Sequence, residues 1–163
     1  SFEPLSTALG IPVYAVPGNH DLYFNGWDHY PGILGPSVYE FSAPPIKVIA
    51  LDSANGTLGW PQRQWLESEL ASRTEQYCIV FTHFQVFSTE IWDTQQFTDP
   101  EEMYWLMHLL ETNNVDYLFM GHVHENFERT INGTRYCIVD TYQHDYIRVT
   151  VTAASISHEY RIF

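Results

Sequence analysis

The chain has 163 residues, 45% of them apolar and 16% aromatic, which is enough for one packed domain and too apolar for a disordered one. Twenty acids against seven bases give a formal charge of −13, so sequence-independent binding to duplex nucleic acid is excluded. No apolar run approaches the roughly 18 residues of a transmembrane segment.

Phe2, Leu5, Ala8 and Leu9 follow a helical stripe, and Gly10 stands where a helix C-cap glycine belongs. Residues 1–10 therefore read as the end of a helix. Ile11 to Val16 reads as a short buried strand running into the turn chemistry of Pro17-Gly18-Asn19-His20-Asp21. Residues 22–36, rich in Gly, Pro and aromatics, read as an irregular loop. Ser37 to Ser42 and Ile46 to Asp52 read as strands split by Pro44-Pro45. Pro61 to Ser72 reads as a helix with Pro in its first turn and Trp65, Leu66 and Leu70 on one face.

Tyr77 to Thr82 is a strand that ends at His83, and residues 84–98 form a long aromatic loop. Asp99-Pro100-Glu101-Glu102 opens a second helix, with Asp99 as cap and Glu102 placed to close a capping box. Val115 to Met120 is another buried strand, ending at Gly121-His122-Val123-His124. Asn132-Gly133 then marks a hairpin between Asn126–Ile131 and Thr134–Asp140. Tyr146 to Thr152 and Ser155 to Arg161 continue as antiparallel strands. The pattern is α/β followed by a β meander, in one unit over residues 1–163.

Cys78 and Cys137 sit in apolar runs and read as buried free thiols. The acidic, lysine-poor surface and the triplets Asn55-Gly56-Thr57 and Asn132-Gly133-Thr134 lean towards an extracellular or cell-surface setting. His108 reads as a plain helix residue and His158 as a surface residue of a late strand.

Three predicted strands end in histidine-bearing loops: Val16 before Asn19-His20-Asp21, Thr82 before His83, and Met120 before His122 and His124. Ligand sites of open α/β sheets gather at the carboxyl ends of strands. Imidazoles with an amide oxygen suit zinc, manganese or iron, and the missing cysteine cluster argues against a thiolate site. In an extended segment His122 and His124 share a face; in a turn they reach two adjacent metals.

Gly18-Asn19-His20-Asp21, His83 after a strand, and Gly121-His122-Val123-His124 resemble, in order, three signature blocks of the calcineurin-like metallophosphoesterases. Leu51-Asp52-Ser53, Gly59 and Gln64-Trp65-Leu66 resemble the segment many members place between the first two. The resemblance spans roughly residues 9–140. It implies part of a four-layer αββα sandwich with mixed sheets, and hydrolysis of a phosphate-ester small molecule or nucleotide. It also implies a dinuclear site of two divalent ions (Mn, Fe or Zn). Asn19, His83 and His122 would hold one ion and His124 the other. His20 would stabilise or protonate at the scissile phosphate, with Asp21 orienting it.

The family's Asp-x-His and Gly-Asp-x-x-Asp blocks are not found in residues 1–163, and the seventeen residues before Gly18 hold neither histidine nor aspartate. The expectation is a C-terminal portion that awaits a companion N-terminal fragment or chain. Alone it would hold at most one ion and be weak or inert. The alternative is a non-enzymatic remnant of the fold that serves binding or assembly.

Overall fold

Four short apolar runs, each followed by a turn or a helix, set the frame of the molecule. The computed structural model describes residues 10–87, 96–140 and 144–163. The expected helix at the start of the chain, apart from Gly10, and much of the aromatic loop after Phe87 lie outside them. Strands β1 (Tyr39–Ala43), β2 (Ile46–Ala50), β3 (Tyr77–Phe81), β4 (Tyr117–Met120), β5 (Phe127–Ile131) and β6 (Thr134–Ile138) form one sheet in the order β1-β2-β3-β4-β6-β5. Its four central strands run parallel, and β1 and β5 are antiparallel edges. Strands β7 (Asp145–Val151) and β8 (Ile156–Ile162) pair with each other in a separate two-stranded sheet.

Alternation along each central strand divides the core in two. Cys78, Val80, Leu118, Met120, Tyr136 and Ile138 face helices α2 (Gly59–Ala71) and α3 (Pro100–Thr112), packing on Leu66, Leu70, Leu106 and Leu110. Ile79, Phe81, Tyr117, Phe119 and Cys137 face the other way, onto Ile147, Val149 and Ile156 of the β7–β8 pair. Each fully buried aliphatic side chain contributes on the order of 1.5–3 kcal/mol. Cys78 and Cys137 are both free and fully buried, on opposite sheet faces.

Several expectations need correction. Residues 11–16 are not a strand: Ile11 and Tyr14 are exposed, and the segment joins no ladder among the described residues. It leans on β1 through side chains, with the Tyr39 hydroxyl donating to Ala15 O at 3.0 Å and Tyr14 stacked on Phe41. The segment 22–36 is ordered: a 3-10 stretch over Asn19–Asn25 leads into helix α1 (Gly26–Leu34), which tolerates Pro31 inside it. Trp27, Tyr30 and Leu34 repeat at helical spacing there, a signal hidden by the Gly and Pro content. The last four strands are not one meander, because β6 joins β4 in parallel while β7 and β8 leave the main sheet.

Glu102 does not close a capping box on its own helix. Asp99 caps alone, accepting from Glu101 N at 2.9 Å. Glu102 is buried and caps α2 instead, accepting from the Thr57 hydroxyl at 2.7 Å, Leu58 N at 3.0 Å and Gly59 N at 3.2 Å. One carboxylate thus joins the two helices that cover the sheet. Asn132 and Gly133, at φ 49° and 92°, make the expected tight hairpin turn.

Candidate metal centre

The carboxyl ends of β3 and β4 bring two of the expected residues together. After β3 the Thr82 N–H donates to Phe119 O and the Gly121 N–H to His83 O, so the chains leaving the two strands stay paired for one step beyond the ladder. Ser53, just past β2, accepts from both His83 N and Phe84 N at 3.0 Å through its buried hydroxyl. The His83 backbone is therefore held from both sides, and its ring is aimed by contacts outside the strand.

The donor atoms converge there. His83 Nε2 lies 2.8 Å from Asn19 Oδ1 and 3.0 Å from His122 Nδ1. Three lone-pair donors from three separate segments meet around one point, an arrangement that suits a shared cation. Asn19 is oriented for this, because its Nδ2 donates to the Tyr23 hydroxyl at 3.3 Å and leaves Oδ1 facing His83. Gly18 makes room: a Cβ there would stand 2.9 Å from His83 Cε1.

His122 and His124 sit in a turn and not in an extended segment. Their φ values are 75° and 49°, and the Val123 N–H donates to Gly121 O at 3.0 Å. Non-glycine residues at positive φ store roughly 1–3 kcal/mol each, and such strain clusters at functional sites. His122 turns inward to His83, with its ring 4.2 Å from that of Phe84. His124 is exposed. Along with His20, it lies near enough to be among the minor electrostatic influences that disfavour protonation of His83. Burial first, then the neighbouring His122, pushes the His83 imidazole down to about 4, while Asp21 opposes the shift. The ring is thus a neutral, ligand-ready base at ordinary pH.

His20 is exposed beside Tyr23, with ring centroids 5.0 Å apart. Asp21 accepts from Gly18 N at 2.8 Å, and its own N–H donates to Gly18 O at 3.0 Å. It therefore fastens the turn that carries both Asn19 and His20. Sequence reasoning does not reach Tyr23, and it names Ser53 only within the resembling segment Leu51-Asp52-Ser53, with no role. A Tyr four residues after a ligand asparagine is visible only once the 3-10 stretch is known, and Ser53 acts through a contact thirty residues away. The Gly18-Asn19 step, by contrast, carried its own signal in the turn chemistry.

An apolar cavity of about 300 Å³ opens beside His83, lined by Val16, Phe81, Phe119, Met120, Ile147 and Val149 among others. It lies between the main sheet and the β7–β8 pair. His29 is exposed, and His144 lies 3.6 Å from Asp140. Neither is among the donors that converge on His83.

A family model described as calcineurin-like phosphoesterase matches residues 1–126. Among curated proteins no significant match is found. A dimetal phosphatase from Danio rerio is similar in structure, with a TM-score of 0.64 and 15% identity over 85% of this chain and 63% of that one. GAP50, titled the anchor in the inner membrane complex of Plasmodium, gives a TM-score of 0.51 and 15% identity over 70% of this chain and 40% of that one. These likenesses show the fold, an α/β arrangement built on a six-stranded mixed sheet, in agreement with the fold class that the sequence implied. The chain spans 63% of the length of the Danio rerio structure.

Proposed function

The chain belongs to the calcineurin-like phosphoesterase family, and from that premise we propose that it forms the C-terminal part of a metal-dependent phosphoester hydrolase. The observation that carries this reading is the meeting of Asn19 Oδ1, His83 Nε2 and His122 Nδ1. These three would hold one divalent ion, and His124 would contribute to a second. When bound, such ions supply Lewis-acid polarisation of a phosphoryl oxygen and acidify water.

The chain's own residues have separable tasks. Asn19, His83 and His122 bind; Tyr23, Ser53 and Gly18 set their positions. His20, exposed on the same turn, is free to approach a substrate and hand a proton to the leaving oxygen. Asp21 keeps that turn closed through Gly18. A binding or assembly role would need none of His20's chemistry, so its place one residue from Asn19 favours hydrolysis over the non-enzymatic reading.

The donors that converge among the described residues fill one ion's shell better than two. On this reading the remaining ligands, including a bridging carboxylate, come from a companion segment with the Asp-x-His and Gly-Asp-x-x-Asp blocks. The apolar cavity beside His83 is a fitting seat for it, since it adjoins the ligands and offers Phe81, Phe119, Ile147 and Val149 for burial. The test is hydrolysis of a phosphodiester by the purified chain with manganese or zinc, with and without a co-expressed N-terminal half. Activity is expected only with the complement. Full turnover by the chain alone overturns the completion, and absence of metal binding in either preparation overturns the site.

A further inference from the structure

Outside the proposed centre, a second set of donors of mixed type meets between the two sheets. Glu128 and Cys137 are direct cross-strand partners on β5 and β6. His158 reaches them from β8. A carboxylate oxygen, the sulfur and an imidazole nitrogen lie within 4.8 Å of one another. None of the three belongs to the histidine centre, and Cys137 points to the opposite sheet face from Cys78.

We propose that Glu128, Cys137 and His158 form a separate site for zinc, its fourth position taken by water, that clips the β7–β8 pair onto the main sheet. A thiolate with an imidazole and a carboxylate suits zinc rather than magnesium or calcium. The surroundings already resemble the supporting contacts of a metal site. Arg135 Nε lies 3.3 Å from Glu128 Oε1, so the guanidinium steadies one carboxylate oxygen and leaves Oε2 for the site. That Oε2 is 2.9 Å from His158 Nε2. The other ring nitrogen, Nδ1, is 3.3 Å from both the Tyr117 hydroxyl and Arg135 Nη1. In a ligating ring Nδ1–H would donate to the Tyr117 hydroxyl, since the Arg135 guanidinium cannot accept.

The proton balance is simple. In the metal-free protein Nε2–H donates to Glu128, and Nδ1 accepts from Arg135. On binding, the ring changes tautomer, so that Nε2 faces the ion and Nδ1–H faces the Tyr117 hydroxyl. The Cys137 thiol gives its proton to solvent as the metal–sulfur bond forms. An ion-pair network accounts for Glu128, Arg135 and His158, while Cys137 packs in the core beside them and is hydrogen-bonded to Tyr160, a contact that its sulfur would exchange for the ion. The His158 side chain is only 8% exposed and Glu128 is 38% exposed, so an ion would enter from the Glu128 side.

The probe is cobalt(II), whose thiolate charge-transfer absorption reports a cysteine ligand directly. The purified chain is titrated alongside His83→Ala/His122→Ala, Cys78→Ser, Cys137→Ser and Glu128→Gln, each checked for folding by circular dichroism. The expected result is a thiolate band in the chain, in the double histidine variant and in Cys78→Ser. It should be absent from Cys137→Ser and need about tenfold or more cobalt in Glu128→Gln. Should Cys137→Ser fail to fold, the unaltered affinity of Glu128→Gln overturns the proposal by itself. No thiolate band in the unsubstituted chain, or one that survives in folded Cys137→Ser, leaves an ion-pair network only.

Discussion

Gly18 and His83 occupy each other's space: a methyl group on Gly18 would stand 2.9 Å from His83 Cε1 and 3.0 Å from Nδ1. The turn that carries Asn19 can approach the His83 ring only because position 18 has no side chain. Gly18→Ala is expected to push the ring away from Asn19 Oδ1 and cost about 1–3 kcal/mol through overpacking. Elemental analysis should show metal lost from a folded variant. Wild-type metal content would show that the contact is easily relieved.

His83 and His122 are expected to serve one ion, because their nitrogens are 3.0 Å apart. His83→Ala and His122→Ala should each lower bound metal by the same amount, and the double variant should lose no more at this centre. Stoichiometry measured by elemental analysis after dialysis checks this. Additive losses would mean two separate ions.

His20→Ala, made in the completed enzyme, should lower turnover on an ester with a poor leaving group by about 10²–10⁴-fold while metal content holds. The effect should shrink on an ester whose leaving group needs no proton. Equal losses on both esters would remove His20 from the acid role.

The metal-free chain should lose stability as pH falls from 6.5 towards about 4. Above 6.5 the His83 ring is neutral both folded and unfolded, and nothing changes. Below it the unfolded chain takes up a proton that the folded one refuses until about pH 4, because burial and His122 disfavour the charged ring. The cost is at most about 2 kcal/mol between pH 6.5 and 5. Urea unfolding of the chain and of His83→Gln at pH 7 and pH 5 tests the sign. The variant should show the flatter dependence.

Glu102→Ala should cost about 3 kcal/mol, since it strips acceptors from the Thr57 hydroxyl and the backbone N–H groups of Leu58 and Gly59 in a buried place. Metal content in the folded fraction should not change. Denaturant titration paired with metal analysis separates the two effects, and joint loss would tie the α2 cap to the centre.

The sequence alone determined the family and most of the frame. Short apolar runs that end in polar turns fix the parallel strands, because continuous Val, Ile and Phe stretches can only be buried on both faces. His83 and the His122 and His124 pair announce donors at strand ends, because local order alone puts them there, and Gly18-Asn19-His20-Asp21 announces a turn, though no strand leads into it. The tertiary structure decided which donors meet. It joined Asn19 to His83 and His122, bent the His122–His124 segment so that His122 meets His83 while His124 stays exposed, and recruited Tyr23 and Ser53 as positioning groups. It also sent Glu102 to cap α2 and drew His158 from an expected surface place into the seam beside Glu128 and Cys137. The reason is physical: a side chain's partners across thirty or more residues depend on how sheets and helices stack. Periodicity reports which face is apolar, and carries no record of what that face will touch.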